Sequence, residues 1–202
     1  MLAYHLIDND FWKPDENYRP LKNGKMNLVV AATHLHYKNA IRLIEAVNSL
    51  SEAEKEKLRI NWYGKDGNDN SLNESINLIK LYELDDIIKF HKPSNNINNI
   101  YSNCDAIGLF SLFEGLPNTV CEGMMTQKPV IASNVSDVSL LINNTQAIFN
   151  PKKINEIKDS LIWLIRMNKN QLLDIGSVNR AKANKLFDKN DIIESYLKLL
   201  EK

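Results

Sequence analysis

Residues 106–133 read AIGLFSLFEGLPNTVCEGMMTQKPVIAS, and this stretch decides the fold. An apolar run at 106–111 leads into a loop containing Gly115 and Pro117, and a second apolar run follows at 129–133. The segment between the loop and the second run, which includes Met124, predicts a helix. Strand, helix and strand in this order are typical of a βαβ unit with parallel strands.

The same alternation of short apolar and longer amphipathic runs extends to both sides of this stretch. It predicts six strands, at 27–32, 58–63, 87–90, 106–111, 129–133 and 147–149. Apolar residues at helical spacing mark the intervening helices, among them one with Leu78, Ile79 and Leu81 packed on the sheet. The expected fold class is therefore α/β, a Rossmann-like three-layer domain with a parallel sheet of about six strands.

Composition bounds the class of protein. The 202 residues carry 25 Lys plus Arg and 25 Asp plus Glu, so the net charge is zero and no general attraction to nucleic acid is expected. No apolar run approaches the ~20 residues that span a bilayer. Met1 to Ile7 has neither a basic leader nor a small-residue cleavage site, which makes cytoplasmic residence the default expectation.

Two segments are distinguished along the chain. Residues 1–25 have no sustained periodicity and predict an entry segment or linker, whereas residues 26–202 form the folded domain. Cys104 and Cys121 each lie inside an apolar run and are interpreted as buried structural thiols. His34 and His36 follow the first strand without an evident partner and are expected to face solvent.

The loop at 111–122 carries the features of an anion site. Gly115 suits a turn unavailable to larger residues, and Pro117 suits a first helical position. The amides of Asn118, Thr119 and Val120 are then expected to be unpaired helix-start donors, which attract phosphate. The chain has no zinc or calcium pattern, no G-x-G-x-x-G after a strand and no P-loop, so we predict no bound metal or cofactor and no nicotinamide or ATPase site.

Three charged residues are candidates for the site, two in the segment 111–122 and one in the loop after the first strand. Glu114 lies before the turn and Glu122 about one turn into the helix, so both carboxylates are expected at the carboxyl edge of the sheet. Taken alone, such glutamates are more often solvated charges at helix ends. Lys38 lies near another helix start, where a cation is disfavoured, and this favours an anionic ligand.

Residues 111–124 fit the pattern S-x-x-E-G-x-P-N-x-x-x-E-x-M and are followed by K-P-V-I-A at 128–132. In these features the chain resembles the group 1, family-4-like retaining glycosyltransferases of the GT-B fold, whose C-terminal domain carries two glutamates separated by seven residues. The resemblance covers nearly the whole chain. It implies one half of a GT-B fold, a nucleotide-diphosphate sugar as ligand, and a missing N-terminal domain that binds the acceptor.

The resemblance also implies roles for individual residues. Glu122 would hold the ribose, the amides of 118–120 and Lys38 the diphosphate, and Glu114 the sugar hydroxyls, so that Glu114 and Lys38 act in catalysis without a metal. The remaining donor-binding positions are Gly115, Leu116, Pro117, Gly64 and Lys65, together with Thr33, which stands where the family has an arginine. A further departure is the segment 134–138, which lacks the glycine pair found in many relatives.

These features predict the donor-binding half of a hexosyltransferase that keeps the anomeric configuration in cell-surface polysaccharide or glycan synthesis. The isolated chain is expected to be inactive, with peripheral membrane association through the other half. One alternative is half of a nucleotide-sugar epimerase, which a radiolabelled transfer assay would distinguish. Another is a non-catalytic nucleotide-binding remnant, suggested by Thr33, which nucleotide affinity would distinguish.

Overall fold

The computed structural model describes residues 7–200, and the side chains of Asn23, Ser195 and 198–200 lie outside the description. The expectation that the first seven residues are no secretory leader therefore falls almost entirely outside the described residues. No helix within 7–200 has both the length and the apolar character needed to cross a bilayer.

The described chain folds around one parallel sheet of six strands. The strands are β1 (Met26–Ala31), β2 (Leu58–Tyr63), β3 (Ile88–His91), β4 (Ala106–Leu109), β5 (Val130–Ser133) and β6 (Ile148–Phe149). Their order is β3-β2-β1-β4-β5-β6, which confirms the predicted α/β class. The strands β1 to β3 are added towards one edge of the sheet, and β4 to β6 are added towards the other edge. The strand order therefore changes direction between β1 and β4, and the carboxyl ends of these two strands border the crevice where such folds bind ligands.

Helices cover the sheet. They are α1 (Ala40–Asn48), α2 (Glu52–Glu56), α3 (Ser71–Leu81), α4 (Ile97–Ser102), α5 (Asn118–Met125), α6 (Val138–Leu141), α7 (Ile154–Ile165), α8 (Lys169–Leu186) and α9 (Lys189–Leu200). Short 3-10 turns lie at Lys22–Gly24, His36–Lys38 and Thr145–Ala147. Every residue of β4 and β5 is buried, as expected for central strands covered on both faces.

Two apolar segments pack less than their periodicity predicts. Leu81, expected on the buried face of its helix, is 71% exposed because it is the last residue of α3 and lies off the face that carries Ile79. In α9, Ile192 is buried, but Ile193 and Tyr196 are largely exposed. Periodicity identified α3 correctly, but neither there nor in α9 does helical spacing fix which apolar residues are covered.

The segment before β1 packs against the amino ends of the strands. Asp105, which is almost fully buried, accepts hydrogen bonds from the Tyr18 hydroxyl (2.6 Å) and from the amides of Leu21 (2.8 Å) and Asn27 (2.7 Å). The ammonium of buried Lys128 lies 3.1 Å from the centroid of the Tyr18 ring, and burial lowers the pKa of this lysine to about 8. These contacts lie at the edge of the sheet opposite the crevice.

Candidate functional site

The loop after β1 is held against the end of β4 by a buried asparagine. Asn39 adopts a φ of 69° and is 2% exposed, and its side-chain amide donates to the carbonyls of Phe110 (3.0 Å) and Pro151 (2.9 Å). The amide of Leu112 donates to the Tyr37 carbonyl at 2.7 Å. Asparagine tolerates the left-handed conformation better than most residues, so this turn has a local chemical basis.

This joining of loops brings two predicted site residues together. The Lys38 ammonium lies 2.6 Å from Oε1 of Glu114, and the two side chains are only 15% and 14% exposed. Partial removal from water strengthens their attraction relative to an ordinary surface pair. A cation and a carboxylate are thus held together at the carboxyl ends of β1 and β4.

Glu122 lies one turn into α5 and is in a different environment. Its carboxylate makes no hydrogen bond or ion pair with any residue of 7–200, and burial raises its pKa to about 7. The nearby Tyr101 side chain is completely buried, and burial together with the neighbouring Glu122 raises the pKa of its hydroxyl. A half-buried carboxyl group without a partner is suited to accept a bond from a ligand.

The start of α5 differs from its prediction. The helix begins at Asn118, so Pro117 precedes the first helical residue and does not occupy it. The amides of Asn118 and Val120 already donate to the carbonyls of Leu116 (2.9 Å) and Pro117 (2.9 Å). The expectation of three free amides at 118–120 is therefore wrong, because the first turn tightens and uses two of them.

The role assigned to Gly115 is also corrected. Gly115 is exposed, its φ is not positive, and a Cβ placed on it would meet no atom within 4 Å, so the turn does not require glycine. The left-handed residue nearby is Ser136, with φ 48°, whose hydroxyl donates to the Gly115 carbonyl. Ser136 lies in the segment 134–138, where the family resemblance leads us to expect a glycine pair, and it adopts the left-handed conformation without glycine.

Gly64, Thr33 and Lys65 meet at the carboxyl end of β2. A Cβ on Gly64 would lie 1.9 Å from the Ala32 carbonyl oxygen and 3.3 Å from Cα of Thr33, so the close approach of two backbones requires glycine here. Lys65 is exposed and borders a cavity of about 440 Å³ that also involves Phe90. The threonine hydroxyl supplies no positive charge at the position assigned to arginine.

The two histidines of the loop have different surroundings. His34 is 4% exposed, stacks on Trp62 at 5.8 Å and meets the edge of Phe90 at 4.8 Å, so the expectation that it faces solvent is wrong; burial lowers its pKa. His36 is exposed as expected, but its ring nitrogens lie 3.0 Å from Asp69 and 2.9 Å from Glu74. The hydrogen bond with Glu74 is the main cause of its raised pKa.

Both cysteines are buried, as predicted. Burial raises the pKa of the Cys104 and Cys121 thiols to about 12, which leaves them unreactive. Within residues 7–200, no group of three or more His, Cys, Asp or Glu side chains is arranged to hold a metal ion.

A family model described as glycosyl transferases group 1 matches residues 13–182. This chain belongs to that family. The match confirms the resemblance carried by the motif at 111–124. No curated protein matches the chain.

Solved structures share the fold of this glycosyl transferase domain. The C-terminal domain of a group 1 glycosyl transferase family protein (LpcC) from Francisella tularensis is 20% identical, with a TM-score of 0.75, and the match covers 89% of this chain and 97% of that domain. Anabaena Alr3699/HepE in complex with UDP and glucose is 17% identical, with a TM-score of 0.85, over 100% of this chain and 56% of that one.

A glycosyltransferase from Rickettsia africae is 18% identical, with a TM-score of 0.84, over 98% of this chain and 56% of that one. The chain thus spans about half the length of these two larger neighbours. Its fold corresponds to that of a domain already described as C-terminal in another member of the group.

Proposed function

We propose that this chain is the donor-binding domain of a retaining hexosyltransferase that uses a nucleotide-diphosphate sugar. The observation that carries the proposal is the Lys38–Glu114 ion pair, with its 2.6 Å contact at the carboxyl ends of β1 and β4. A diphosphate that enters the crevice would replace Glu114 as the partner of the Lys38 ammonium. The carboxylate of Glu114 would then accept hydrogen bonds from the sugar. One pair of residues therefore offers opposite charges to the two parts of the donor.

The other contacts follow from the surroundings of α5. Glu122 would accept hydrogen bonds from the ribose, a role supported by its unpaired, half-buried carboxylate. During transfer, Lys38 would stabilise the charge that develops on the departing diphosphate, assisted by the positive end of α5. This mechanism uses no metal, and the sugar keeps its anomeric configuration.

The proposal extends to a longer protein. A second domain would bind the acceptor and close the crevice, since neighbours of this fold are nearly twice as long. We place the reaction in cell-surface polysaccharide or glycan synthesis, on the cytoplasmic side of the membrane, with peripheral attachment through that second domain. UDP and glucose occur together in the Anabaena complex, which makes UDP-glucose the first donor to test.

Binding of UDP, GDP and ADP tests the proposal directly. We expect one of them to raise the melting temperature, because a ligand that binds the folded state stabilises it. Lys38→Met should abolish most of the shift, whereas Lys152→Met, which removes an exposed lysine, should retain it. No shift and no calorimetric binding with any of the three would refute the proposal.

Thr33 favours a second candidate, a domain that binds nucleotide without transferring sugar. A guanidinium contacts two phosphate oxygens together, and a threonine hydroxyl cannot replace that charge. Radiolabelled sugar transfer by the full-length protein would decide between the two. Transfer by the isolated 202 residues would instead refute the assignment of this chain as half of the enzyme, because nothing else would position an acceptor.

A further inference from the structure

The histidine of the 3-10 turn at His36–Lys38 lies between two carboxylates. Its Nδ1 is 3.0 Å from Oδ2 of Asp69, and its Nε2 is 2.9 Å from Oε2 of Glu74. A neutral imidazole has one N–H group, so it can donate to only one of these carboxylates and presents a lone pair to the other. The imidazolium donates to both. The geometry therefore favours the protonated ring over the neutral one.

The electrostatics of the three groups agree with this geometry. The hydrogen bond with Glu74 and the charge of Asp69 raise the pKa of His36. The hydrogen bond with His36 lowers the pKa of Glu74. Partial desolvation raises the pKa of Asp69, but hydrogen bonds from His36 and Ser71 outweigh it and lower the value to about 2. Both carboxylates therefore remain ionised over the pH range in which His36 titrates.

The two carboxylates also tie the backbone of the turn to the start of α3. The His36 amide donates to the same Oδ2 of Asp69 at 2.7 Å. The other oxygen of Asp69 accepts from the amide of Ser71 at 3.1 Å, and Glu74 accepts from the side chain of Asn70 at 3.2 Å. The partners of His36 are thus held by the first residues of the helix.

Lys38 is the last residue of this turn. Its amide donates to the Leu35 carbonyl at 2.8 Å, and the next amide donates to the His36 carbonyl at 3.0 Å. On the side of β4, the turn is anchored by Asn39, which donates to the Phe110 carbonyl. On the side of α3, the anchor is the His36 ring. Loss of this second anchor would leave the turn, and with it the Lys38 ammonium, held from one side.

We propose that His36 is a positioning residue for Lys38, and that its protonation makes diphosphate binding depend on pH. The imidazolium holds the turn against α3, and the neutral ring releases one of the two carboxylates. Because folding raises the pKa of His36 above its ordinary value near 6.5, both contacts are complete below that pH and are lost as pH rises through the folded pKa. The proposal rests on the proposed function for the role of Lys38, but the holding of the turn requires no ligand.

NMR and amide hydrogen exchange test the holding of the turn without nucleotide. The imidazole resonances give the pKa of His36, and the protection factors of the Lys38 and Asn39 amides report opening of the turn. Protection should fall between pH 5.5 and 9, with a midpoint at the measured pKa. In Glu74→Gln both values should be lower, whereas Glu52→Gln, at a carboxylate that is 86% exposed, should leave both unchanged. Protection that does not follow the histidine pKa would overturn the proposal.

Calorimetry with UDP, GDP and ADP tests the consequence for binding, and the tightest of the three serves as the probe. His36→Arg is the reference, because a guanidinium keeps its charge at every pH and can donate to both carboxylates. The parent and the reference share the titration of the ligand and that of Glu122, which acts in the opposite direction. The ratio of their affinities therefore isolates His36. It should fall about threefold between pH 5.5 and 9, the size expected for partly exposed ion pairs.

His36→Gln carries a polar side chain that does not titrate, so its affinity relative to the reference should show no step with pH. A constant ratio for the parent would overturn the proposal, because diphosphate binding would then be independent of the protonation of His36. If none of the three nucleotides binds the parent, the proposed function fails, and hydrogen exchange alone decides whether His36 holds the turn.

Discussion

Lys38 and Glu114 form an ion pair across 76 positions of sequence, with 2.6 Å between the ammonium and the carboxylate. The pair holds the loop after β1 against the loop after β4, where the proposed diphosphate and sugar would enter. Glu114 therefore pairs with the cation that we propose binds the diphosphate.

Glu114→Gln should strengthen the binding of a free nucleoside diphosphate, because the neutral amide holds Lys38 less strongly than the carboxylate does and does not repel phosphate. Lys38→Met should weaken the same binding by about tenfold or more, since a charge-assisted hydrogen bond is lost. Calorimetry at low and high salt measures both effects, and the difference between the variants should shrink at high salt. Weaker binding in Glu114→Gln would show that the glutamate does not compete for the lysine.

Glu122→Gln should weaken nucleotide binding by about 1 to 3 kcal/mol through loss of a charge-assisted bond to the ribose. Because burial raises the pKa of Glu122 to about 7, the parent should bind more weakly as pH falls from 8 to 6, as the carboxylate becomes protonated. The variant should lack this pH dependence. Equal affinities for parent and variant at pH 8 would rule out the ribose contact.

The same raised pKa affects the stability of the ligand-free protein. Between the ordinary glutamate pKa near 4.5 and about 7, folded Glu122 keeps a proton that the unfolded chain has lost. The free energy of unfolding of the parent should therefore fall, relative to that of Glu122→Gln, as pH rises through this window. Urea unfolding of both proteins at pH 4.5, 6 and 7.5 gives the comparison. If the difference between their free energies of unfolding does not change with pH, the carboxylate of Glu122 is solvated and its pKa is not raised by burial.

Thr33→Arg should tighten diphosphate binding more than monophosphate binding, because guanidinium can contact two oxygens of the distal phosphate. The mononucleotide is the internal control, and Thr33→Gln adds a longer polar side chain than threonine without the charge. The gain should decrease with salt. No gain for the arginine variant would mean that Thr33 does not occupy the arginine position or that Lys65 already supplies the charge.

Excess chelator should change neither nucleotide affinity nor melting temperature, since Lys38 and the start of α5 are proposed to act in place of a cation. The measurement is calorimetry and thermal unfolding with and without EDTA, with magnesium added back as the control. A large loss of affinity that magnesium restores would contradict the metal-free mechanism.

Gly64→Ala and Gly115→Ala form a matched pair. The first places a Cβ 1.9 Å from a backbone oxygen, so strands and loop must shift and the melting temperature should fall by several degrees. The second meets no atom within 4 Å and has no positive φ to strain, so the melting temperature should be unchanged. Thermal unfolding measures both, and a destabilised Gly115→Ala would restore the original interpretation of that turn.

The amino-acid sequence determined the layered parallel sheet, because short apolar runs that alternate with segments of helical periodicity are visible among residues close in sequence. These patterns do not depend on which distant residues pack together. The sequence also singled out Glu114 and Glu122 through their spacing in one motif, although their roles remain predictions. Their common position at the carboxyl edge of the sheet follows from the strand order, which a βαβ pattern constrains strongly.

Only the tertiary structure decided which side chains contact each other and which are buried. The Lys38–Glu114 contact joins residues 76 positions apart, and beside it the side chain of Asn39 donates to the Phe110 carbonyl across 71 positions. His34 is buried because Trp62 and Phe90 arrive from other strands, and no feature of its own loop signals this. Burial, and with it the raised pKa of Glu122, depends on neighbours that are distant in sequence, so local patterns cannot predict it.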